Sequence, residues 1–397
     1  MLKLSTCYWS GGLVALLLLA GPGCGGGDPS TLAGAGGPVD PAGAGTLTVH
    51  LVPDGLPGPL GQLNLALSAL ELRVAGSWRP VPLTLPGPTV DILGATPAAP
   101  LVLASKVPWP EGGNDAMRFT LGDGSTVQLA TDGSDHILAA PGQFVSGMGL
   151  PGSFSIAPQA DTDLWITFSV ADVAVPDPRE SGNYLFIPGP VRGYDRAATG
   201  SISGRVTGTA PAEPLAGAAV TAQLQRVEGE GDAVAFRTVR TDAQGHFSLD
   251  LLLKGYTWCV VSQPAQAAAH FPQVSPGFAL GNAPFDTYQT TLACAPVALP
   301  GTVTGTLAAA FDPARRAVVD LVQEIPAGGV PFRYVLRSAL VEVDADGRRS
   351  FSIPLVPPGI YTAVLNDYSL GPMGLLNESR STAQFLVPAG GKVTLTF

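Results

Sequence analysis

What most limits the folds open to this chain is the form in which its apolar residues come: short runs, alternating with polar neighbours, each cut off by glycine or proline. Leu47, Val49 and Leu51 alternate with Thr48 and His50, the period of a half-buried strand. Leu63, Leu65 and Leu67 share one phase and Leu70, Leu72 and Val74 the other, so Ser68-Ala69 predicts a bulge or bend. Shorter runs follow at 117–121, 127–129, 164–170 and 184–187, many separated by turns such as Gly122-Asp123-Gly124 and Asp132-Gly133. With 50 glycines, 38 prolines and 13% charged residues, the chain has turns throughout and no stretch suited to a long helix. The predicted class is all-β, built as sandwiches or barrels.

At 397 residues there is sequence for two or three such domains. The formal net charge of -10 excludes nucleic acid as a partner, because neutralising phosphates needs clustered Lys and Arg that are absent.

The N-terminus carries an apolar run, Leu13 to Ala20, followed by Gly21-Pro22-Gly23-Cys24. That run is too short for a stable membrane span, which needs about 20 residues, but suits the core of an export signal. Small residues before a cysteine fit the processing peptidase, and the stretch resembles a bacterial lipoprotein signal, residues 1–23, with Cys24 as the lipidated first mature residue. Gly21 and Pro22 depart from the usual Leu and Ala or Ser, and Lys3 is the only cation ahead of the run. Ordinary secretion with cleavage near Ala20 or Gly23 is the alternative. Lipid anchoring implies a cell-envelope location, with the outer membrane as the expected site and its periplasmic and surface sides both open. Residues 24–44 are mostly Gly, Pro and Ala with a few polar residues, a composition that predicts a flexible tether with a reach of roughly 25 Å.

Three β-rich domains in tandem are expected after it: 45–197, 198–298 and 299–397. In the first, Gly45-Thr46-Leu47-Thr48-Val49, Val90-Asp91-Ile92-Leu93, Arg118-Phe119-Thr120-Leu121 and Gly182-Asn183-Tyr184 resemble the bacterial family known as domain of unknown function 4382. The resemblance implies a β fold and a lipoprotein context and no catalytic residue. In the second, Gly204-Arg205-Val206, Leu215 to Val220, Thr241-Asp242-Ala243-Gln244-Gly245-His246-Phe247 and Gly255-Tyr256 are similar to carboxypeptidase-regulatory-like domains of transthyretin type. That family implies a small accessory β-sandwich without catalysis of its own. The third repeats the scheme: Gly301 to Gly305, the turn Asp344-Ala345-Asp346-Gly347, Phe351 with Ile353, and Gly359-Ile360-Tyr361 echo the second domain. Residues 313–325 read as a capped helix or as a strand, with Val318, Val319 and Val322 leaning towards strand.

Of four cysteines, Cys7 falls in the signal and Cys24 at the lipid site. Cys259 and Cys294 are then a lone pair in an exported protein, which predicts a disulfide, with two separate buried thiols as the alternative. Neither a Gly-x-Ser-x-Gly elbow nor a His-Glu-x-x-His zinc motif occurs, so His50, His136, His246 and His270 read as structural. Glu342, Asp344 and Asp346 have the spacing of half a calcium loop, but Ile353 stands where the bidentate Glu belongs. Asp161 and Asp163 are a second acidic pair, read as solvated carboxylates with weak calcium binding as the alternative. No metal, cofactor or catalytic residue is expected. For glycan stacking, Trp165 is the first candidate because Leu164, Ile166 and Val170 occupy the opposite face of its strand; Trp78 and Trp109 follow. The sequence thus predicts a non-catalytic, lipid-anchored envelope protein whose partners are the membrane and a glycan or envelope protein. A glycan-acting or metal-assisted hydrolase and an inert spacer are the alternatives.

Overall fold

The computed structural model describes residues 44–58, 60–139, 148–170, 173–176, 182–186, 191–209, 212–224, 234–265, 270–281, 287–296, 299–308, 315–327, 330–343, 347–371 and 374–397. Among them the architecture is all-β, with a single 3-10 turn at Arg196–Ala198 and no α-helix.

The N-terminal region builds three sheets. In the first, strand Gly45–Asp54 lies between Leu101–Trp109 and Asp161–Ser169, with Val191–Asp195 at the edge. Alternation fixes which side is buried: Leu47, Val49 and Leu51 join Leu164 and Ile166 in one large apolar cluster with Leu63, Leu72 and Met117 from the neighbouring sheets. The expected slip is present as a register shift between Leu67 and Ala69. It turns both halves of that segment's alternating leucines into the same core.

Each of the next two modules is a pair of facing sheets. Strand Thr199–Gly208 pairs antiparallel with His246–Leu253 and parallel with Thr287–Cys294. Gly301–Leu307 does the same with Arg349–Val356 and Lys392–Thr396. The facing sheets run Val234–Arg240, Ala219–Leu224, Thr257–Gln263 in the second module and Val330–Leu340, Arg315–Ala327, Gly359–Gly371 in the third. The ambiguous 313–325 segment is therefore strand Arg315–Ala327, laddered on both sides. Gly245 sits at φ +77 in the Asp242 turn and Gly347 has the same φ, a backbone region that costs glycine nothing.

The disulfide expectation is corrected. Cys259 and Cys294 are separate, buried, free thiols. Trp258 and Val260 point into the second module's core with Cys294, whereas Cys259 has the opposite phase and packs with the third module's core. Cys294 instead has Ser262 Oγ at 3.3 Å.

Candidate functional site

Cys24, Cys7 and the 24–43 tether lie outside the described residues, as do Asp344 and Asp346. Among the described residues no helix is long and apolar enough to cross a membrane. Nor does any group of three or more His, Cys, Asp or Glu there stand close enough to hold a metal ion.

Trp165 does point away from Leu164 and Ile166, but that side of the sheet is covered by the second module. Its exposure is 8% and it belongs to the second module's apolar cluster with Val52 and Tyr194. The indole stacks on His50 at 4.6 Å, with the Arg196 guanidinium 5.3 Å from its centroid. Trp109 is 3% exposed, and its Nε1–H donates to Asn114 Oδ1 at 3.2 Å. Neither ring can meet a sugar, so both glycan assignments are corrected. Trp78 is half-buried on the edge strand Ser77–Pro80. Arg118 and Arg73 stand 4.7 and 5.8 Å from its ring centroid, and Arg118 is also paired with Glu71. A sugar stacking there has to compete with guanidinium cations for the π face.

The acidic pair is absorbed locally. Thr46 Oγ1 donates to Asp161, and Asp163 Oδ1 lies 3.6 Å from His50 Nε2. His246 stands 3.6 Å from Asp242 within its turn, and Asp242 accepts the N–H groups of Gln244 and His246, which hold its carboxyl below the usual range.

One arrangement was not read from the sequence. Ser134 Oγ is 2.8 Å from His136 Nε2, while His136 Nδ1 is 2.7 Å from Gly182 O. A serine facing a histidine oriented by a carbonyl is the beginning of a nucleophilic dyad. Here Asp132 Oδ1 takes up the same hydroxyl at 2.7 Å. A hydroxyl has one proton to give, and the carboxylate is the stronger acceptor. Because Nδ1 can only donate to the Gly182 carbonyl, Nε2 of the neutral ring is an acceptor, and Ser134 Oγ stands between two acceptors with one proton to give.

The surfaces that remain open are sheet faces. On the third module Thr302, Thr304 and Thr306 stand in register with Lys392, Thr394 and Thr396 on one side, and Ser352 and Ser350 face Thr304 and Thr306 on the other. Thr304 Oγ1 lies 3.4 Å from Thr394 Oγ1. The second module carries the counterpart: Ser201 and Ser203 beside Thr287 and Gln289, with Ser201 Oγ 3.3 Å from Thr287 Oγ1. Period-2 alternation puts these hydroxyls outward because Val303, Leu307, Phe351 and Ile353 are buried beneath them. The signal was present in the sequence as Thr302-x-Thr304-x-Thr306 and Lys392-x-Thr394-x-Thr396.

No family model matches the chain, and no curated protein matches it either. Among solved structures, the Bacillus anthracis TIE protein is similar at 10% identity and a TM-score of 0.20, covering 89% of this chain and 50% of its own length. The chain thus spans half of that protein. A streptococcal ancillary pilin aligns over 88% of this chain and 98% of its own at 11% identity and a TM-score of 0.21. A DUF3823 family protein from Parabacteroides merdae aligns over 48% and 99% at 12% identity and a TM-score of 0.19. Likeness at this level carries nothing about activity or partners.

Proposed function

We propose that the chain is a non-catalytic, lipid-anchored cell-envelope protein, with Cys24 as the acylated residue, 24–44 as the tether and modules at 45–197, 198–298 and 299–397 presented to a neutral glycan. The observation that carries the glycan reading is the hydroxyl-bearing face of the second and third modules. In the third module its charges are one of each sign, Lys392 at one edge and Glu342 beside Ser350 at the other, so a highly charged partner finds little to pair with, whereas a polyol can exchange water for Ser and Thr hydroxyls row by row. The sequence resemblances to lipoproteins and to accessory transthyretin-type sandwiches support the same reading.

The anchor is tested by mass analysis of the mature N-terminus; an unmodified chain rejects it. Glycan binding is tested by profiling residues 45–397 against neutral polysaccharides, with Thr304→Glu and Thr394→Glu as the disabling pair. Binding that survives both substitutions, or no binding to any glycan, rejects the surface.

A further inference from the structure

The second and third modules can be superposed through their own hydrogen bonds. Thr241 N donates to Ala218 O, and Val341 N donates to Ala317 O. In both ladders the register shifts four residues further along, between Ala222 and Gln223 in one module and between Leu321 and Val322 in the other. Arg237 opposite Ala222 is therefore the counterpart of Arg337 opposite Leu321, and Phe236 that of Leu336. Both arginines are buried beside the bulge.

The strands carrying them, Val234–Arg240 and Val330–Leu340, are the edges of their sheets. An edge leaves a row of backbone N–H and C=O groups without ladder partners. At both edges, side chains of the preceding module take those groups. On the second module, Thr238 N donates to Asp54 Oδ1 at 3.2 Å and Phe236 O accepts from Arg192 Nη1 at 3.0 Å. On the third, Val335 N donates to Gln223 Oε1 at 3.0 Å, and Val335 O accepts from Gln223 Nε2 at 2.7 Å. Leu336 O accepts from Gln263 Nε2 at 2.8 Å. Phe236 and Leu336, equivalent in the repeat, thus each surrender a carbonyl to the module before. Apolar residues complete both junctions: Val52, Trp165 and Tyr194 join the second core, and Cys259 and Val261 join the third.

We infer that the bulged edge strand of each sandwich is a docking surface for the sheet face of the module that precedes it, and that the three modules are joined rigidly by two copies of this one device. The first copy uses an ion pair, Asp54 with Arg192, whose oxygen and nitrogen lie 3.7 Å apart; the second uses neutral amides. In each, side chains stand in for a missing strand, so the edge is closed to further pairing and the junction cannot swing without exposing buried backbone groups.

Amide hydrogen exchange on the mature chain tests this. Thr238 and Val335 amides are expected to be protected in the wild type. Gln223→Ala is expected to speed exchange at Val335 about fivefold while leaving Thr238 unchanged, and Asp54→Ala to do the reverse, since one hydrogen bond is worth about 1 kcal/mol. Exchange at the unprotected rate at either position in the wild type overturns the inference, whether or not the variants fold. So does a variant that leaves its own amide as slow as before.

Discussion

Gly305 stands directly opposite Phe351 in the third module's ladder, and the ring lies over it so closely that a Cβ on Gly305 would fall 2.4 Å from Phe351 Cε1. Gly204 and Phe247 hold the same relation in the second module, where the added carbon would sit 2.0 Å from Thr290 O. A missing side chain in the first strand is thus the seat of the aromatic ring that roofs each core.

Alanine at Gly204 or Gly305 is therefore expected to destabilise its module by about 1–3 kcal/mol, the usual cost of overfilling a packed site. Gly204→Ala should be the worse, because its nearest obstacle is backbone. Thermal unfolding of the two variants checks both the size and the order.

Trp165→Ala is expected to act on stability and not on ligand. Removing a buried indole from the first junction should cost about 3–5 kcal/mol, seen as a lower denaturation midpoint. Glycan binding by protein that remains folded should be unchanged, and a selective loss of binding would return Trp165 to the surface.

Asp54 makes the first junction sensitive to acid. Burial pushes its carboxyl above the ordinary 3.8, against the opposing pull of Arg237 and Arg192. A folded state that holds the proton more tightly than the unfolded chain gains stability from it fully below pH 3.8 and loses that gain as pH rises through the folded value. Asp54→Asn keeps an acceptor for Thr238 and removes the titration. Its midpoint should lose the part of the pH slope that the wild type shows across the acid range.

Both thiols should be silent in the folded protein. Burial raises Cys259 to about 12 and Cys294 upward as well, so little thiolate exists at neutral pH. Iodoacetamide should label neither until denaturant is added, and a reductant should leave the melting temperature where it is.

The sequence made much of this legible because alternation reports locally. The phase of Leu63 to Val74, the slip at Ser68-Ala69 and the echo of Gly204 and Phe247 in Gly305 and Phe351 all lie within single strands or repeats. What failed depended on neighbours. The outward phase of Trp165 was correct, but nothing in its own strand says that another module covers that side. Counting cysteines pairs Cys259 with Cys294, whereas the alternation of Trp258, Cys259 and Val260 puts the first thiol on the outer side of its sheet. Gln223 and Gln263 carried no signal, because a glutamine inside a strand looks the same whether it meets water or another module's backbone.

In each sandwich the opening strand runs beside the closing one in the same direction, Ser201 to Gly208 along Thr287 to Cys294 and Thr302 to Thr306 along Lys392 to Thr396. Tension applied between the two ends of a module drags these neighbours lengthwise in opposite senses. The rungs between them are then loaded together in shear and must break as a group, so each sandwich yields to a pull on its ends only by losing that whole ladder at once.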